Sequence, residues 1–116
     1  MANTFKVITK AGVTSADVIY TAGSGVTAIV LGLILGNTTT SQITSTVTMQ
    51  TDTSNRAGNN DEANQTVELI TNAPIPAGSS LELLSGNKVV LETTDTITVS
   101  GSGATDVALS IMEITA

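Results

Sequence analysis

Hydrophobic and polar residues alternate along most of this chain in short runs, and Gly, Asn and Pro cut the runs apart. The cleanest run is 43–51, where Ile43, Val47 and Met49 fall on one parity and Thr44, Thr46, Thr48 and Gln50 on the other. Successive side chains of a strand point to opposite faces, so this pattern predicts a strand with one side on a core and the other in water. Thr suits the wet side because its branched Cβ favours extended backbone. Further strands are expected at 4–9, 17–21, 65–71, 81–84, 88–92, 96–100 and 107–114. In the first of these Phe5 and Val7 are read as facing inward and Lys6 outward. No segment holds a helical period over eleven residues, and no internal repeat is visible.

The run 26–36 (VTAIVLGLILG) is apolar on both parities. A membrane-spanning helix needs about 20 such residues, so the run reads as a strand in the middle of a sheet or beneath a subunit contact. Leu31, Leu33 and Leu35 are the candidate interface on its second face. Asn37 to Ser41 is expected to close a hairpin into 43–51, and Ser85-Gly86-Asn87 a tight hairpin between 81–84 and 88–92. Residues 72–78 (NAPIPAG) read as a rigid connector, because proline cannot donate to a ladder. The expected core is Val7, Val30, Val47, Met49, Leu69, Leu83, Leu91, Val99, Leu109 and Ile111. Many short strands in 116 residues predict a single all-β domain spanning 1–116, an antiparallel β-sandwich or small barrel. Immunoglobulin-like and jelly-roll orders both remain open, although the paired cysteines and buried Trp of antibody domains are absent.

Composition narrows the chemistry. The chain has no His, Cys or Trp, a single Tyr (Tyr20), a single Phe (Phe5) and a formal net charge of −6. Without His or Cys, catalysis would have to come from a carboxylate pair, and the acids fall mostly on polar strand faces or turns. No enzymatic activity and no cofactor are therefore expected. Phosphate backbones reward clustered bases, and Lys6, Lys10, Arg56 and Lys88 are scattered, which argues against nucleic-acid binding. The absence of a long apolar span or of a recognisable leader argues for no membrane association, and for a protein that leaves its cell by lysis or assembly if at all.

The 52–64 segment (DTSNRAGNNDEAN) is polar, Asn-rich and aperiodic, and is expected to be an exposed mobile loop. Its oxygen-bearing side chains suit calcium, yet the spacing matches no EF-hand and Arg56 lies inside it, so a solvent-exposed tip is the expected reading and no metal site is assigned. Asn37-Thr38-Thr39 and Asn64-Gln65-Thr66 match the glycosylation sequon, which arises readily by coincidence in so Thr-rich a chain.

The segments PIPAGS (74–79), LLSGNKVVLE (83–92), DTI (95–97) and LSIMEI (109–114), with IYTA (19–22) and TAIVLGL (27–33) upstream, resemble the small all-β virion structural proteins of tailed bacteriophages, including those of marine cyanobacteria. The resemblance covers most of the chain outside 52–64 and rests on strand-and-turn motifs that carry no active residues. It implies a capsid decoration (cement) protein that stabilises the outer shell. Its partners would be the major capsid protein and copies of itself, with a trimer at local threefold positions as the assembly to look for. The protein would be made in the host cytoplasm and would end on the virion capsid surface. The second implied role is a tail- or fibre-associated module that recognises the host surface, against which the scarcity of aromatic residues counts modestly.

Overall fold

The structure, a computed structural model, describes residues 2–51, 65–84 and 86–115; the 52–64 segment and the calcium reading attached to it lie outside the described residues. Nine strands follow one another: β1 (Ala2–Val13), β2 (Asp17–Thr21), β3 (Val26–Asn37), β4 (Ile43–Gln50), β5 (Thr66–Ile75), β6 (Ser80–Leu83), β7 (Val89–Leu91), β8 (Thr96–Gly101) and β9 (Thr105–Thr115). They form two antiparallel sheets. One has the order β1-β9-β3-β6, with β7 also paired to β3, and the other the order β2-β8-β4-β5. The fold is an all-β antiparallel sandwich. Taking β6 and β7 as one interrupted strand, the chain passes from sheet to sheet at nearly every connection, and each sheet interleaves early and late strands. That is the order of a jelly roll.

Two expected hairpins are absent. Residues after Asn37 do not fold β4 back on β3; they carry the chain across to the opposite sheet. Asn37 itself is 3% exposed and organises this crossing. Its amide nitrogen donates to the carbonyls of Ser41 (2.8 Å) and Ile75 (2.9 Å), and its Oδ1 accepts from the backbone N–H (2.9 Å) and hydroxyl (2.7 Å) of Thr39. Its sequon match therefore marks a structural hub. Likewise β6 and β7 do not pair with each other. They lie end to end along β3, Leu83 opposite Leu33 and Val89 opposite Val30, and Leu84 leaves β6 in the left-handed region at φ 63°. The Pro-rich segment is also no plain connector: β5 runs on through Pro74, which pairs with Thr44 on a sheet edge where a missing N–H costs nothing.

The core between the sheets contains Val30, Leu33, Leu35, Val47, Ile75, Leu91, Ile97, Val99, Leu109 and Ile111, all essentially inaccessible. Of the expected core, Met49, Leu69 and Leu83 are partly buried and pack against it. Val7 is not in it. The strand β1 has the parity opposite to the expected one: Ile8 pairs with core Leu109, Lys6 with core Ile111 and Lys10 with core Val107, so these three share the inner face. Phe5 and Val7 point outward and are 71% and 63% exposed.

Candidate functional site

The outward side of the β1-β9-β3-β6/β7 sheet is where this chain departs from an ordinary sandwich. Directly opposed residues of an antiparallel ladder share a face. Following the pairings across four strands gives a transverse row of Phe5, Met112, Ile29 and Val90. A second row, Thr9, Ala108, Ile34 and Glu82, lies along the same face. Phe5, Val7, Ile34 and Val90 are exposed, and Ile29, Met112 and Ile114 are half-buried among them. Large hydrophobics on the solvent side of a sheet, grouped in adjacent rows, are the signature of a surface that meets another molecule.

Two shallow grooves open on this face. One, of about 330 Å³, is lined in part by Ala11, Ile34, Gly36 and Ala108, where small side chains lower the floor between neighbouring strands. The other, of about 220 Å³, is bordered by Leu31, Gly32, Ile34 and Glu82. It sits at a β-bulge. Along β3 the register advances two residues from Val30 to Gly32 while β9 advances one from Ile111 to Ser110, leaving Leu31 as the extra residue.

That bulge also relocates the candidate interface. Before it, Ala28 and Val30 point inward; after it, Leu33, Leu35 and Asn37 do. Leu33 and Leu35 are core residues at 1% and 0% exposure, and Leu31 is half-buried at the bulge. The residues that β3 turns outward are Thr27, Ile29, Ile34 and Gly36. Sequence reasoning missed Ile29 and Ile34, and it missed Phe5, Val7, Val90 and Met112 as members of one surface. The available signal was the pairing of Phe5 and Val7 on one parity against Lys6 and Lys10 on the other, which reads equally well with either face outward.

The opposite sheet presents a different surface. Thr48 pairs with Thr98, Thr46 with Ser100 and Gln50 with Thr96, so hydroxyls cover the outside of the centre of that sheet. The two broad faces of the sandwich are therefore chemically unlike.

Charged groups gather at the open edge between β1 and β2. Lys6 Nζ lies 2.7 Å from Glu113 Oε1, and the Tyr20 hydroxyl donates to Glu113 Oε2 at 2.6 Å. Tyr20 belongs to the opposite sheet, so this cluster ties the two sheets together at their rim. Lys10 Nζ reaches Asp17 Oδ2 at 3.2 Å and makes a second tie. The long lysine stems cover apolar surface while their amines reach the rim. The hydrogen bond from Lys6, then that from Tyr20, holds the Glu113 carboxyl below its ordinary pKa against an opposing desolvation. Burial, then the bond to Glu113 and its negative charge, raises Tyr20.

The signs follow from linkage. A lowered carboxyl contributes stability that is complete above the ordinary glutamate value and is lost as pH falls through the lowered one. A raised phenol contributes stability present below the ordinary tyrosine value and lost as pH rises past it. Glu113→Gln is thus expected to lower the melting temperature at neutral pH. The gap from wild type should close as pH drops from about 7 to about 2. Melting curves across that range check this; a gap independent of pH would remove Glu113 from the acid response.

Among the described residues no three His, Cys, Asp or Glu side chains converge to hold a metal ion. What fold and surface define together is a jelly-roll sandwich with one apolar and one hydroxyl-rich face. No family model matches the chain, and no curated protein does. A solved structure described as Bacillus endospore appendages forming a novel family of disulfide-linked pili aligns with 98% of this chain and 87% of its own at 19% identity, with a TM-score of 0.48. The present chain contains no cysteine.

Proposed function

We propose that this protein is a non-enzymatic structural subunit that works by docking its apolar sheet face onto a protein lattice, in the form of a capsid decoration protein of a tailed phage. The observation that carries the docking role is the row Phe5–Met112–Ile29–Val90 on an outward face, because a hydrophobic row across four strands is costly to leave in water. The virion form of the role comes from the strand-and-turn resemblance in 74–79, 83–92 and 109–114. A partner for such a face is a broad, weakly charged protein surface such as the outside of the major capsid protein. The self-association and virion location expected from the sequence belong to the same reading.

Capsids assembled without this protein provide the test. Wild-type protein should saturate them at a fixed copy number. Ile34→Asp, which puts a carboxylate on the exposed apolar face, should weaken that binding by at least about tenfold, since burying an unpaired charge costs well over the ~1.4 kcal/mol that tenfold represents. Thr46→Asp on the opposite face should leave binding unchanged. A protein that ignores such capsids yet adheres to host cells would be the tail or fibre recognition module instead.

A further inference from the structure

A jelly roll leaves four sheet edges open, and an unpaired edge is a template for another strand unless something blunts it. Among the described residues two of the four are blunted, and a third is open only in two short stretches. The β5 edge carries Pro74 and the left-handed Asn72 at φ 48°. The β2 edge is five residues long and bulged between Val18 and Tyr20. The edge made by β6 and β7 is open along Ser80–Leu83 and along Val89–Leu91, with an interruption between the two. The β1 edge pairs with β9 without a break from Ala2 to Lys10 and contains no proline; its one irregularity, between Lys10 and Val13 with Gly12 at φ 69°, falls beyond that stretch.

We infer that β1 is an assembly edge whose occupant is the β6/β7 edge of a second copy of this chain. Three features select that occupant. First, the strands of this sheet alternate in direction, so its two opposite edges run antiparallel, and copies placed side by side can join in a continuous antiparallel sheet. Second, both transverse rows end on side chains that such a joint would bring together. Phe5, 71% exposed at one edge, would meet Val90, 47% exposed at the other, and Thr9 would meet Glu82. Both rows demand the same register. In that register Lys10 falls beside Leu81, Ile8 beside Leu83 and Lys6 beside Val89, with the interruption opposite Val7. Third, charge disfavours the obvious alternative. Two β1 strands paired about a twofold axis would crowd Lys6 and Lys10 of both copies onto one inner rim, and like charges across a ladder destabilise it. The heterologous joint brings no lysine opposite another.

Such a contact is head to tail, so it closes into a ring or continues as a filament according to the rotation between copies. It uses the edges of the sheet and stands whether or not the outer face meets a capsid.

The absence of cysteine makes the register directly readable. In the variant Thr9→Cys/Glu82→Cys the two thiols of one chain sit three strand spacings apart, roughly 14 Å, too far to bridge within the molecule. Mild oxidation of the purified double variant, with no capsid present, should yield a disulfide-linked series of dimer, trimer and higher species on a non-reducing gel, and reduction should collapse it. A series that stops at a fixed size of three or more marks a ring and one that runs on marks a filament; either supports the joint. Thr9→Cys and Glu82→Cys alone should stay monomeric. The inference is overturned if the double variant remains monomeric at concentrations where light scattering shows association, or at all concentrations tested. It is equally overturned if Thr9→Cys alone dimerises as readily, which would mean that β1 pairs with itself.

Discussion

Leu109→Ala is expected to lower stability by ~2–5 kcal/mol, while Val7→Ala, next in sequence to the Leu109 partner Ile8, changes it by no more than about 0.5 kcal/mol. Both substitutions truncate an aliphatic side chain in the same pair of strands. Leu109 is fully buried, flanked in the ladder by Ile8 and Leu33, and its loss leaves a cavity that the two sheets cannot close without distorting their hydrogen bonds. Val7 faces out, so its truncation opens no cavity. For a domain of this size the buried change should shift the melting temperature by on the order of 10 °C. Thermal melts of the two variants side by side make the measurement. Comparable losses in both would mean that the outward face of β1 is covered in the folded state, against the exposed surface described above.

Asn37→Ala should be nearly as damaging although it removes almost no apolar surface. The substitution leaves the Ile75 carbonyl and the Thr39 N–H without their side-chain partner, while the Ser41 carbonyl keeps its bond from the Thr39 hydroxyl. A buried polar group left unsatisfied costs ~1–3 kcal/mol, and the Ile75 bond is the buried one, so a total of roughly 2–4 kcal/mol is expected. Because Asn37 joins the end of β3 to the end of β5 and to the crossing at 38–42, the loss should also be local. Limited proteolysis of the variant should show new cleavage within 38–42 before global unfolding. A variant that melts lower yet is cut no faster there would mean that the side chain supports the core and leaves the crossing alone.

Alternation was legible wherever a strand keeps its own phase. In β4 the irregularities of pairing fall on its neighbour β5, so Ile43 and Val47 are buried as their parity implies and Thr44, Thr46 and Thr48 stand on the other side. The bulges interrupt the same reasoning in β5, where Leu69 falls opposite no residue of β4 and Ile70, opposite Val47, takes the inward phase, so that both end partly buried. A bulge defeats it in β3, where one extra residue reverses the phase and turns an apparently two-faced apolar strand into one that is buried by alternation on either side of Leu31. A bulge has no residue signature of its own, since it is set by how many residues the partner strand offers. The β1 error had another origin. Parity says which side chains share a face, and hydrophobicity was used to say which face is inside; that second step fails where the outside is apolar too. Topology was illegible for a third reason. Turn chemistry such as Ser-Gly-Asn reports that the chain bends, while the sheet that receives the next strand depends on long-range pairing.

The first and last strands of the chain lie side by side, with Ala2 opposite Thr115 at one end of their ladder. A pull applied between those two residues would load the β1–β9 bonds one at a time, from that end inward, as a zipper is opened. Strands drawn past each other along their length would share the load over all their bonds at once. The protein is therefore mechanically soft to tension through its own ends, and β1 would peel away at low force while the rest of the sandwich stayed closed. Force arriving through the sheet edges meets a different material. Along that direction the ladders carry the load in series, and within each ladder the bonds share it, so a whole ladder must give way at once.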